Sequence, residues 1–515
     1  MPSVQPALDQ ATSGITVPLA PRNPSDQPIL SGSSAPPPAP HLSGPGREAL
    51  LPVVGGDLEV PLVGGGRARH ANLDYAASAP SLVTVAEQVA QLLPYSASVH
   101  RGAGFGSQVC TAVYEGARAE VGRFLGARRD DAVVFTRNTT DAVNLLAHCV
   151  GHTAGRSARV VVLDLEHHAN LLPWSAVRRR VVAARPTPEE TLDALATELR
   201  AEPTALLAVT GASNVTGERL PLARLAALAH ASGARLFVDA AQLAPHRRID
   251  LAGLDVDYLA LSGHKLYAPF GAGALVGRRD WLDAAPPYLA GGGAVREVTV
   301  TSVAWADAPA RHEAGTPNLP GAVALAAACR ALGALPADAL VEHDEALRHR
   351  LVKGLAGLPD VRVLSRWPAA TGISSTGTAA TGTSDTDTGV GAPVGVVTFT
   401  FAGDRAAGAA TDLAAAYLAA EHGISLRAGR FCAHPLLDQL GAPAGALRAS
   451  VGVGSSAADV DRLIEALDLF LTSGPRWRYA LGPGGWAPTP DDRLRPDWAA
   501  SVPASPGLAA SPCGT

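Results

Sequence analysis

The stretch “VDYLALSGHKLYAPFGAGALVG” (residues 256–277) places two short apolar runs on either side of a glycine-rich turn. Short apolar runs are typical of strands that are buried on both faces of a sheet. The turn contains Lys265, one of only two lysines in a chain of 515 residues; the other is Lys353. A lysine amine can lose its proton and attack a carbonyl group, whereas a guanidinium group cannot. The stretch therefore predicts a buried sheet with a candidate Schiff-base lysine at its edge.

Short apolar runs and helical patterns alternate through the middle of the chain. Further runs occupy 133–135, 159–165, 205–210 and 235–239. Between them, residues 220–233 place leucines on one helical stripe and finish at a glycine, as helices commonly do. Strands that alternate with helices predict an α/β fold, with a mostly parallel sheet sandwiched by helices.

Domain boundaries are predicted from changes in composition. Residues 1–66 are rich in Pro, Ser and Gly and are expected to be disordered, and 474–515 are expected to form a loose tail. A large domain is expected over 67–340, with 67–85 packing on the smaller domain. A smaller α+β domain is expected over 341–473, with strands near 361–364, 394–401, 424–429 and 447–454 and a final helix. The low-complexity tract 368–393 is predicted to be a surface insertion within it.

Charge and hydropathy exclude several classes of function. The net charge of −5 is spread without a strong run, which argues against binding to nucleic acid or a membrane surface. No uninterrupted apolar stretch is long enough for a transmembrane helix, and the first residues do not resemble a secretory signal. The five cysteines lack metal-like or disulfide-like spacing. We therefore expect a cytoplasmic protein.

Polar residues follow several predicted strands, where open α/β sheets bind their ligands. Asp239 ends one strand and could pair with a protonated pyridine nitrogen, or simply cap a helix; Gln242 could reach the same ligand. Thr139 and Thr140 begin a predicted helix, where hydroxyls and backbone N–H groups suit a phosphate, although ordinary helix capping would use the same residues.

Two further positions are candidates for ligand contacts. His167 follows a strand and could stack on a flat ring. It is followed by a second histidine, and such pairs can bind metal ions, but no third ligand stands at a suitable spacing. Asn214 could donate to a substrate carboxylate or a cofactor hydroxyl, or simply stabilise a turn.

Taken together, these residues resemble the pyridoxal-phosphate enzymes of fold type I, in the class V aminotransferase superfamily. The likeness is strongest to the group II (SufS-like) cysteine desulfurases and selenocysteine lyases. It runs from about residue 70 to 472, omitting the insertion. Among the segments that carry it are “NLDYAASAP” (72–80), “SVHRG” (98–102), “VFTRNTTDAVNLLA” (134–147), “EHHANLLPW” (166–174), “SNVTGE” (213–218), “VDAAQLAPH” (238–246), “HEAGTPNLPGA” (312–322) and “RAGRFCAHPLL” (427–437).

The resemblance implies roles around a pyridoxal 5′-phosphate cofactor. Lys265 would form the Schiff base and move protons, Asp239 would hold the pyridinium, and Gln242 would contact the phenolic oxygen. His167 would stack on the ring, and Asn214 would contact cofactor or substrate. The phosphate would be bound by Thr139, Thr140, Ser262 and His264.

The resemblance also implies a homodimer with active sites at the subunit interface. Thr316 would reach the phosphate in the neighbouring subunit, and His100 and Arg101 would lie near that interface and near the substrate. Arg427 and Arg448 would bind the substrate, with Arg448 pairing with its carboxylate.

Cys432 would be the nucleophile that takes sulfur from the substrate and becomes a persulfide. A thiolate is required for this step, and Arg430 or His434 could supply the neighbouring cation. The family usually has Gly-His-His-Cys-Ala here, whereas this chain has Gly-Arg-Phe-Cys-Ala. The other cysteines fall in helical patterns or the tail.

The leading hypothesis is a cysteine desulfurase-like enzyme that converts L-cysteine to L-alanine and passes the sulfur to an acceptor protein. The alternative is another class V enzyme, such as a C–S lyase, a selenocysteine lyase, an epimerase or an aminotransferase of secondary metabolism, in which Cys432 is not used. A third hypothesis is a cofactor-binding protein without turnover.

Overall fold

The computed structural model describes residues 45–336, 338–368, 391–402 and 408–500. Nearly all of the predicted insertion, and residues 1–44, lie outside the described residues. The strands are β1 (Glu59–Pro61), β2 (Arg67–Arg69), β3 (Ala71–Asn72), β4 (Ala132–Thr136), β5 (Arg159–Leu163), β6 (Arg178–Val182), β7 (Leu206–Thr210), β8 (Arg235–Asp239), β9 (Tyr258–Ser262), β10 (Gly273–Gly277), β11 (Val295–Val298), β12 (Val303–Trp305), β13 (Val361–Leu364), β14 (Val396–Phe401), β15 (Ile424–Ser425), β16 (Arg427–Gly429), β17 (Ala446–Ser450), β18 (Tyr479–Gly482) and β19 (Gly485–Pro488).

The helices are α1 (Val83–Leu92), α2 (Phe105–Phe124), α3 (Thr139–Thr153), α4 (His168–Leu171), α5 (Pro188–Ala201), α6 (Leu222–Ala231), α7 (Arg279–Ala284), α8 (Leu319–Gly333), α9 (Ala339–Ala356), α10 (Gly408–His422), α11 (His434–Gln439), α12 (Ala457–Ser473) and α13 (Asp497–Ala500). None of the helices in the described part of the chain combines the length and the apolar character that a membrane crossing needs.

A central sheet of seven strands carries the larger part of the fold. Its order is β4-β10-β9-β8-β7-β5-β6, and β5 to β9 run parallel to one another. Strand β10 runs antiparallel to both β4 and β9. Every residue of β5, β7, β9 and β10 is buried, because helices cover both faces and the apolar runs can pack on either side. The predicted α/β fold with a mostly parallel sheet is confirmed.

Strand β6, at the edge of this sheet, has no counterpart in the predicted strands. Its sequence “RRRVV” has no apolar run, and four of its five residues are exposed. The arginines are balanced by helix α5 and the segment after it, since Arg178 pairs with Glu202 and Arg180 pairs with Glu198. An edge strand needs only one neighbour, so a charged sequence can occupy it.

A second sheet, of order β13-β14-β17-β16, is antiparallel throughout. Helices α9, α10 and α12 pack against it around a separate apolar cluster that includes Leu351, Phe399 and Leu463. The short strand β3 pairs in parallel with β15, and the backbone N–H of Ser450 donates to the carbonyl of Leu73 at 2.7 Å. The segment just before α1 therefore packs on the smaller sheet.

The prediction of disorder is wrong for residues 45–66. Leu50 and Val53 are buried in the main apolar cluster, and the Leu50 N–H donates to the carbonyl of Val453 at 2.6 Å. Strand β1 then pairs with β2. The apolar residues of “ALLPVV” (49–54) anchor this segment. The composition of residues 1–66 as a whole does not indicate this, because Pro, Ser and Gly dominate it.

The prediction of a loose tail is wrong for residues 476–488, which follow α12. Strands β18 and β19 form a hairpin. Glu421, near the end of α10, accepts hydrogen bonds from the backbone N–H groups of Arg476 (3.1 Å) and Trp477 (3.2 Å) and from the hydroxyl of Tyr479 (3.1 Å). One carboxylate thus attaches the hairpin to the smaller domain.

We expect the Glu421→Ala variant to release this hairpin while the two sheets stay folded. Each lost hydrogen bond to a charged group is worth roughly 1.5–3 kcal/mol. Hydrogen exchange should therefore accelerate about tenfold or more at the amides of Arg476 and Trp477 and be unchanged in β8 and β9. Glu465→Ala, which removes an exposed carboxylate from α12, is the matched control. Unchanged exchange at both amides would contradict the attachment.

Candidate functional site

A cavity of about 230 Å³ lies where the parallel strands end. It is lined by the ends of β7, β8 and β9, by the first turn of α3, and by residues from β16 and β17 of the smaller sheet. Twelve of the residues singled out in the sequence line it together: Thr139, Thr140, His167, Asn214, Asp239, Gln242, Ser262, His264, Lys265, Arg427, Cys432 and Arg448.

Lys265 lies in the loop between β9 and the reversed strand β10, so the antiparallel turn brings its amine back over the sheet edge. The Lys265 side chain lines the cavity, and other residues pack closely around it. Burial is the main cause that lowers its pKa to about 8; Asp239 opposes this shift, and Arg448 adds to it. At pH 7 roughly a tenth of the amine is therefore neutral, compared with a negligible fraction at the ordinary pKa. This lysine can act as a nucleophile and as a proton carrier.

Asp239 ends β8 and is 4% exposed. Its Oδ1 accepts from the backbone N–H of Ala241 at 3.0 Å, while Oδ2 accepts no hydrogen bond from any described residue. Burial raises the pKa of this carboxyl, and Lys265 opposes the shift. A buried carboxylate oxygen that faces a cavity without a donor suits a cationic N–H of a ligand. Next to it, the amide of Gln242 is fixed by donating from Nε2 to the carbonyl of Ala76 at 2.7 Å.

The first turn of α3 forms an oxygen- and nitrogen-rich corner of the cavity. Ser262 Oγ accepts from the backbone N–H of Thr139 and also contacts Thr139 Oγ1, both at 2.8 Å. Asn138 caps the helix by accepting from the N–H of Asp141 at 3.0 Å. His264 is neutral at physiological pH, since burial and the nearby Lys265 lower its pKa to about 4. Hydroxyls at a helix N-terminus suit a phosphate group.

His167 caps the short helix α4, because its Nδ1 accepts from the backbone N–H of Ala169 at 3.0 Å. Burial is the main cause that lowers its pKa to about 3, and Lys265 contributes. The ring is therefore a neutral, fixed aromatic surface inside the cavity, which suits stacking on a flat ligand. Among the described residues, no group of three or more His, Cys, Asp or Glu side chains could hold a metal ion.

Two arginines from the smaller sheet face the cavity. Arg427 in β16 stands directly opposite Arg448 in β17, so both side chains point to the same face. Arg448 is 3% exposed; its Nη1 donates to the carbonyl of Asn214 at 3.0 Å and its Nη2 donates to Asp74 Oδ1 at 3.1 Å. Its buried Nε has no hydrogen-bond partner in the described part of the chain. A buried donor without a partner suits an anionic group of a ligand.

Cys432 lies in a turn after β16 that is attached to two other cavity loops. Its carbonyl accepts from the backbone N–H of His168 at 2.9 Å, and the carbonyl of Phe431 accepts from Asn214 Nδ2 at 2.8 Å. Both Phe431 and Cys432 have left-handed backbone angles, with φ of 51° and 53°. Non-glycine residues seldom adopt this conformation unless their surroundings fix it. The thiol is therefore held at the cavity wall.

Neither Arg430 nor His434 lines the cavity, and the expectation that one of them supplies the cation for Cys432 stays a prediction. Arg430 forms an ion pair with Asp438 in the last turn of α11, and it donates to the carbonyl of His434 at 3.2 Å. Lys265 and Arg448 are positive groups that interact electrostatically with Cys432.

Thr316, His100 and Arg101 do not line the cavity of their own chain. Arg101 Nη2 lies 3.4 Å from the carbonyl of Gly315, beside Thr316, and His100 pairs with Glu115 at 3.0 Å. The resemblance assigns these three residues to a subunit interface, and that assignment stays a prediction.

Asp74 and Phe431 belong to the site but were not singled out as candidates. Asp74 holds Arg448, and Phe431 lies in the cavity wall. Both residues stand in segments that carry the resemblance, and this membership is the feature of the sequence that could have identified them. Glu166 is a third residue that was not singled out as a candidate, and it is fully buried beside the cavity. Its carboxylate accepts from the backbone N–H of Thr210 at 3.1 Å and from Asn170 Nδ2 at 2.7 Å. Burial raises the pKa of this carboxyl well above the usual range.

Known proteins are similar to this chain in sequence and in fold. The family described as aminotransferase class-V matches residues 71–463. A cysteine desulfurase of Dickeya dadantii is 35% identical over 408 residues, which are 77% of this chain and 91% of that protein. A probable cysteine desulfurase of Streptomyces coelicolor is 32% identical and covers 73% of this chain and 85% of its own length.

Solved structures agree with the sequence relatives. The cysteine desulfurase CsdA from Escherichia coli is 34% identical, with a TM-score of 0.64 over 78% of this chain and 94% of its own. The cysteine desulfurase from Thermococcus onnurineus is 31% identical, with a TM-score of 0.66 and the same two coverages. The partly exposed lysine in the cavity, the carboxylate oxygen without a donor and the hydroxyl-lined helix start fit pyridoxal phosphate, a flat ring with an aldehyde, a basic nitrogen and a phosphate. The chain therefore belongs to the aminotransferase class-V family, as a pyridoxal-phosphate-dependent enzyme similar to the cysteine desulfurases.

Proposed function

We propose that this enzyme takes the sulfur atom from L-cysteine, releases L-alanine and carries the sulfur as a persulfide on Cys432. The observation that supports this most strongly is that Cys432 lines the same cavity as Lys265, Asp239 and Arg448. A nucleophilic thiol beside a cofactor lysine and a carboxylate-binding arginine is what sulfur transfer from an amino acid requires. The relatives named as cysteine desulfurases point to the same substrate.

The proposed cofactor contacts follow the shape of the cavity. Lys265 would hold pyridoxal phosphate covalently, and Asp239 would accept from its ring nitrogen. His167 would stack on the ring and Gln242 would contact its ring oxygen, while the phosphate would be bound by Thr139, Thr140, Ser262 and His264. When bound, the cofactor withdraws electrons from the substrate and makes the proton on its α-carbon acidic.

The side chains of this protein then have separate tasks. Arg448, assisted by Arg427, binds the substrate carboxylate and fixes the orientation of the α-carbon. Lys265 Nζ, with its pKa near 8 in the cavity, takes the α-proton and returns a proton later. Asn214 helps to fix Arg448 and the turn of Cys432.

The sulfur step belongs to Cys432. Its Sγ, as thiolate, attacks the sulfur of the substrate, so that an S–S bond forms while the C–S bond breaks. The electron pair of the broken bond goes to the departing carbon, which takes up a proton and becomes the methyl group of alanine. Atoms and electrons balance without an external oxidant: one thiol and one cysteine give one persulfide and one alanine. The persulfide then passes its outer sulfur to an acceptor protein.

We also propose that the enzyme works as a homodimer. Thr316, with His100 and Arg101 nearby, lies outside its own cavity and would complete that of the neighbouring subunit, at the phosphate. Light scattering of the holoenzyme should give twice the chain mass of 52.5 kDa, and a monomer with full activity would contradict this part. A cytoplasmic location remains a prediction from the sequence.

A second candidate is favoured by one observation. Arg430 and Phe431 stand where relatives of this branch usually have two histidines before the cysteine. A C–S lyase that releases sulfide, or another class V reaction, would not need Cys432 as a nucleophile, and the surroundings of the thiol could then change freely.

The deciding experiment is to alkylate Cys432 and measure the products from L-cysteine. Cys110, Cys149 and Cys329 are buried, and Cys513 lies outside the described residues, so the experiment uses a Cys513→Ser background in which iodoacetamide should modify Cys432 first. The proposed function predicts that alanine formation stops in proportion to the modified Cys432. If alanine or sulfide continues to form after complete modification, the second candidate is correct. Repeating the assay with L-selenocysteine and other amino acids would fix the substrate.

The pKa of Lys265 leads to a prediction about cofactor capture. Only the neutral amine attacks an aldehyde, and in the apoenzyme this pKa lies at about 8. The rate of cofactor attachment should therefore rise about tenfold between about pH 6 and pH 7, and level off above about pH 9. The rise of the lysine-bound cofactor's absorbance after mixing measures this rate. A rate that still climbs steeply toward the ordinary lysine pKa would contradict the assigned shift.

A further inference from the structure

The ring of Phe431 lies against the guanidinium group of Arg448 in the cavity wall. The Cζ atom of Arg448 is 5.1 Å from the centre of the ring. Each residue is only 3% exposed. A cation over an aromatic face is attracted by the negative charge density of that face, and the attraction grows when water is excluded. This contact joins residues from a turn and a strand that pack beside each other.

The two residues are also joined through Asn214. The side chain of Asn214 donates from Nδ2 to the carbonyl of Phe431 at 2.8 Å. The backbone carbonyl of Asn214 accepts from Arg448 Nη1 at 3.0 Å. The three residues thus form a closed cycle of contacts: ring to guanidinium, guanidinium to carbonyl, and amide back to the turn that carries the ring. A closed cycle restricts each member more than a single contact would.

The cycle leaves one side of the guanidinium group for a ligand. Nη1 donates to the backbone carbonyl of Asn214, and Nη2 donates to Asp74 Oδ1. The ring of Phe431 lies against the guanidinium group and keeps water away from it. The buried Nε has no partner in the described part of the chain. The orientation of Arg448 is therefore set before any substrate arrives, and less free energy is lost in ordering it on binding.

We propose that Phe431 is a positioning residue for the carboxylate of the substrate, acting through Arg448. The inference rests on the proposed function to the extent that Arg448 binds the α-carboxylate of an amino acid. It assigns to Phe431 the selection of α-amino acids over amines of the same length that lack the carboxylate.

The test compares two ligands on the holoenzyme of the Phe431→Leu variant. L-alanine carries the carboxylate, whereas cysteamine has the amine and the thiol without it. Binding is measured by the change in absorbance of the bound cofactor, so no turnover is needed. The dissociation constant for L-alanine should rise about tenfold, and that for cysteamine should change less than about twofold. Phe431→Tyr, which keeps the ring, should bind both ligands nearly as the native enzyme does.

Controls separate this effect from a general loss of packing. Phe401→Leu removes a buried ring from the core of the smaller sheet, where it stacks on Phe470 away from the cavity, and should leave both dissociation constants unchanged. In the Arg448→Gln background, Phe431→Leu should weaken L-alanine binding by less than about threefold, because the cationic partner of the ring is gone. If the leucine variant does not retain cofactor, Phe431→Met fills similar space and carries the same expectation.

Three outcomes would overturn the proposal. Either L-alanine binds the leucine variant as tightly as the native enzyme, or both ligands weaken by the same factor. A full additional loss in the Arg448→Gln background would also show that the ring and the arginine act independently. These results are distinct from a failure of the proposed function, since an enzyme that binds L-alanine through Arg448 but forms no persulfide would lose the function and keep this inference.

Discussion

The Lys265→Ala variant should lose alanine formation from L-cysteine by on the order of 10³-fold or more. Its amine has two tasks, to hold the cofactor and to move the α-proton, and proton transfer alone typically contributes 10²–10⁴-fold. Lys265→Arg should be equally inactive, because guanidinium stays protonated and cannot form the covalent link. Activity and the absorbance of the lysine-bound cofactor should disappear together in both variants.

Borohydride reduction of the native holoenzyme gives the sharpest version of this test. The chain has one other lysine, Lys353, which is exposed in the last turn of α9. Peptide mapping should find the reduced cofactor on residue 265 alone, and Lys353→Ala should behave as the native enzyme. A label on Lys353, or a Lys265→Ala enzyme that turns over at the native rate, would remove the basis for every role assigned to the cavity.

The Cys432→Ser variant should separate substrate binding from sulfur transfer. A serine hydroxyl is not ionised at neutral pH and is a poor nucleophile toward sulfur, so persulfide and alanine formation should fall by roughly 10³-fold or more. The carboxylate-binding arginines and Lys265 are unchanged, so L-cysteine should still alter the absorbance of the bound cofactor with a dissociation constant within a fewfold of native. The products are measured as alanine and as protein-bound sulfur.

Cys110→Ser is the matched control for this variant. It makes the same atomic exchange in α2, outside the cavity, where the Cys110 thiol donates to the carbonyl of Tyr95 at 3.0 Å and a hydroxyl could do the same. It should retain native activity. If Cys432→Ser still forms alanine and releases sulfide, the proposed desulfurase function is wrong and the C–S lyase alternative is supported.

The inner strands of the large sheet could be predicted because β5, β7, β8, β9 and β10 are buried on both faces, which leaves an unmistakable apolar run in each. Strand β6 could not, since its arginines carry no such pattern. Residues 45–66 and the C-terminal hairpin were misjudged for a related reason. Composition averages over a window, whereas a segment is ordered by a few well-placed contacts, such as Leu50 in the core or Glu421 on the hairpin.

The candidate site was predictable where position along a strand decides the role. Asp239 ends one apolar run and Thr139 begins the helix that follows another, so the sheet brings them to one edge. Contacts that join distant segments were not predictable in this way. Asp74 and Arg448 are 374 residues apart in sequence, and the cycle of Phe431, Asn214 and Arg448 depends on the packing of the smaller sheet against the larger one.

The arginine-rich strand β6 has a consequence for self-association. A row of unpaired backbone groups at a sheet edge is a template onto which another chain can add a strand, and continued addition leads to fibrils. Two copies that met along β6 would have to bring together the charged side chains of Arg178, Arg179 and Arg180 and the carboxylates that pair with them, and the cost of desolvating these charges would oppose the contact. Strand β6 thus acts as a gatekeeper against edge-to-edge aggregation of the seven-stranded sheet.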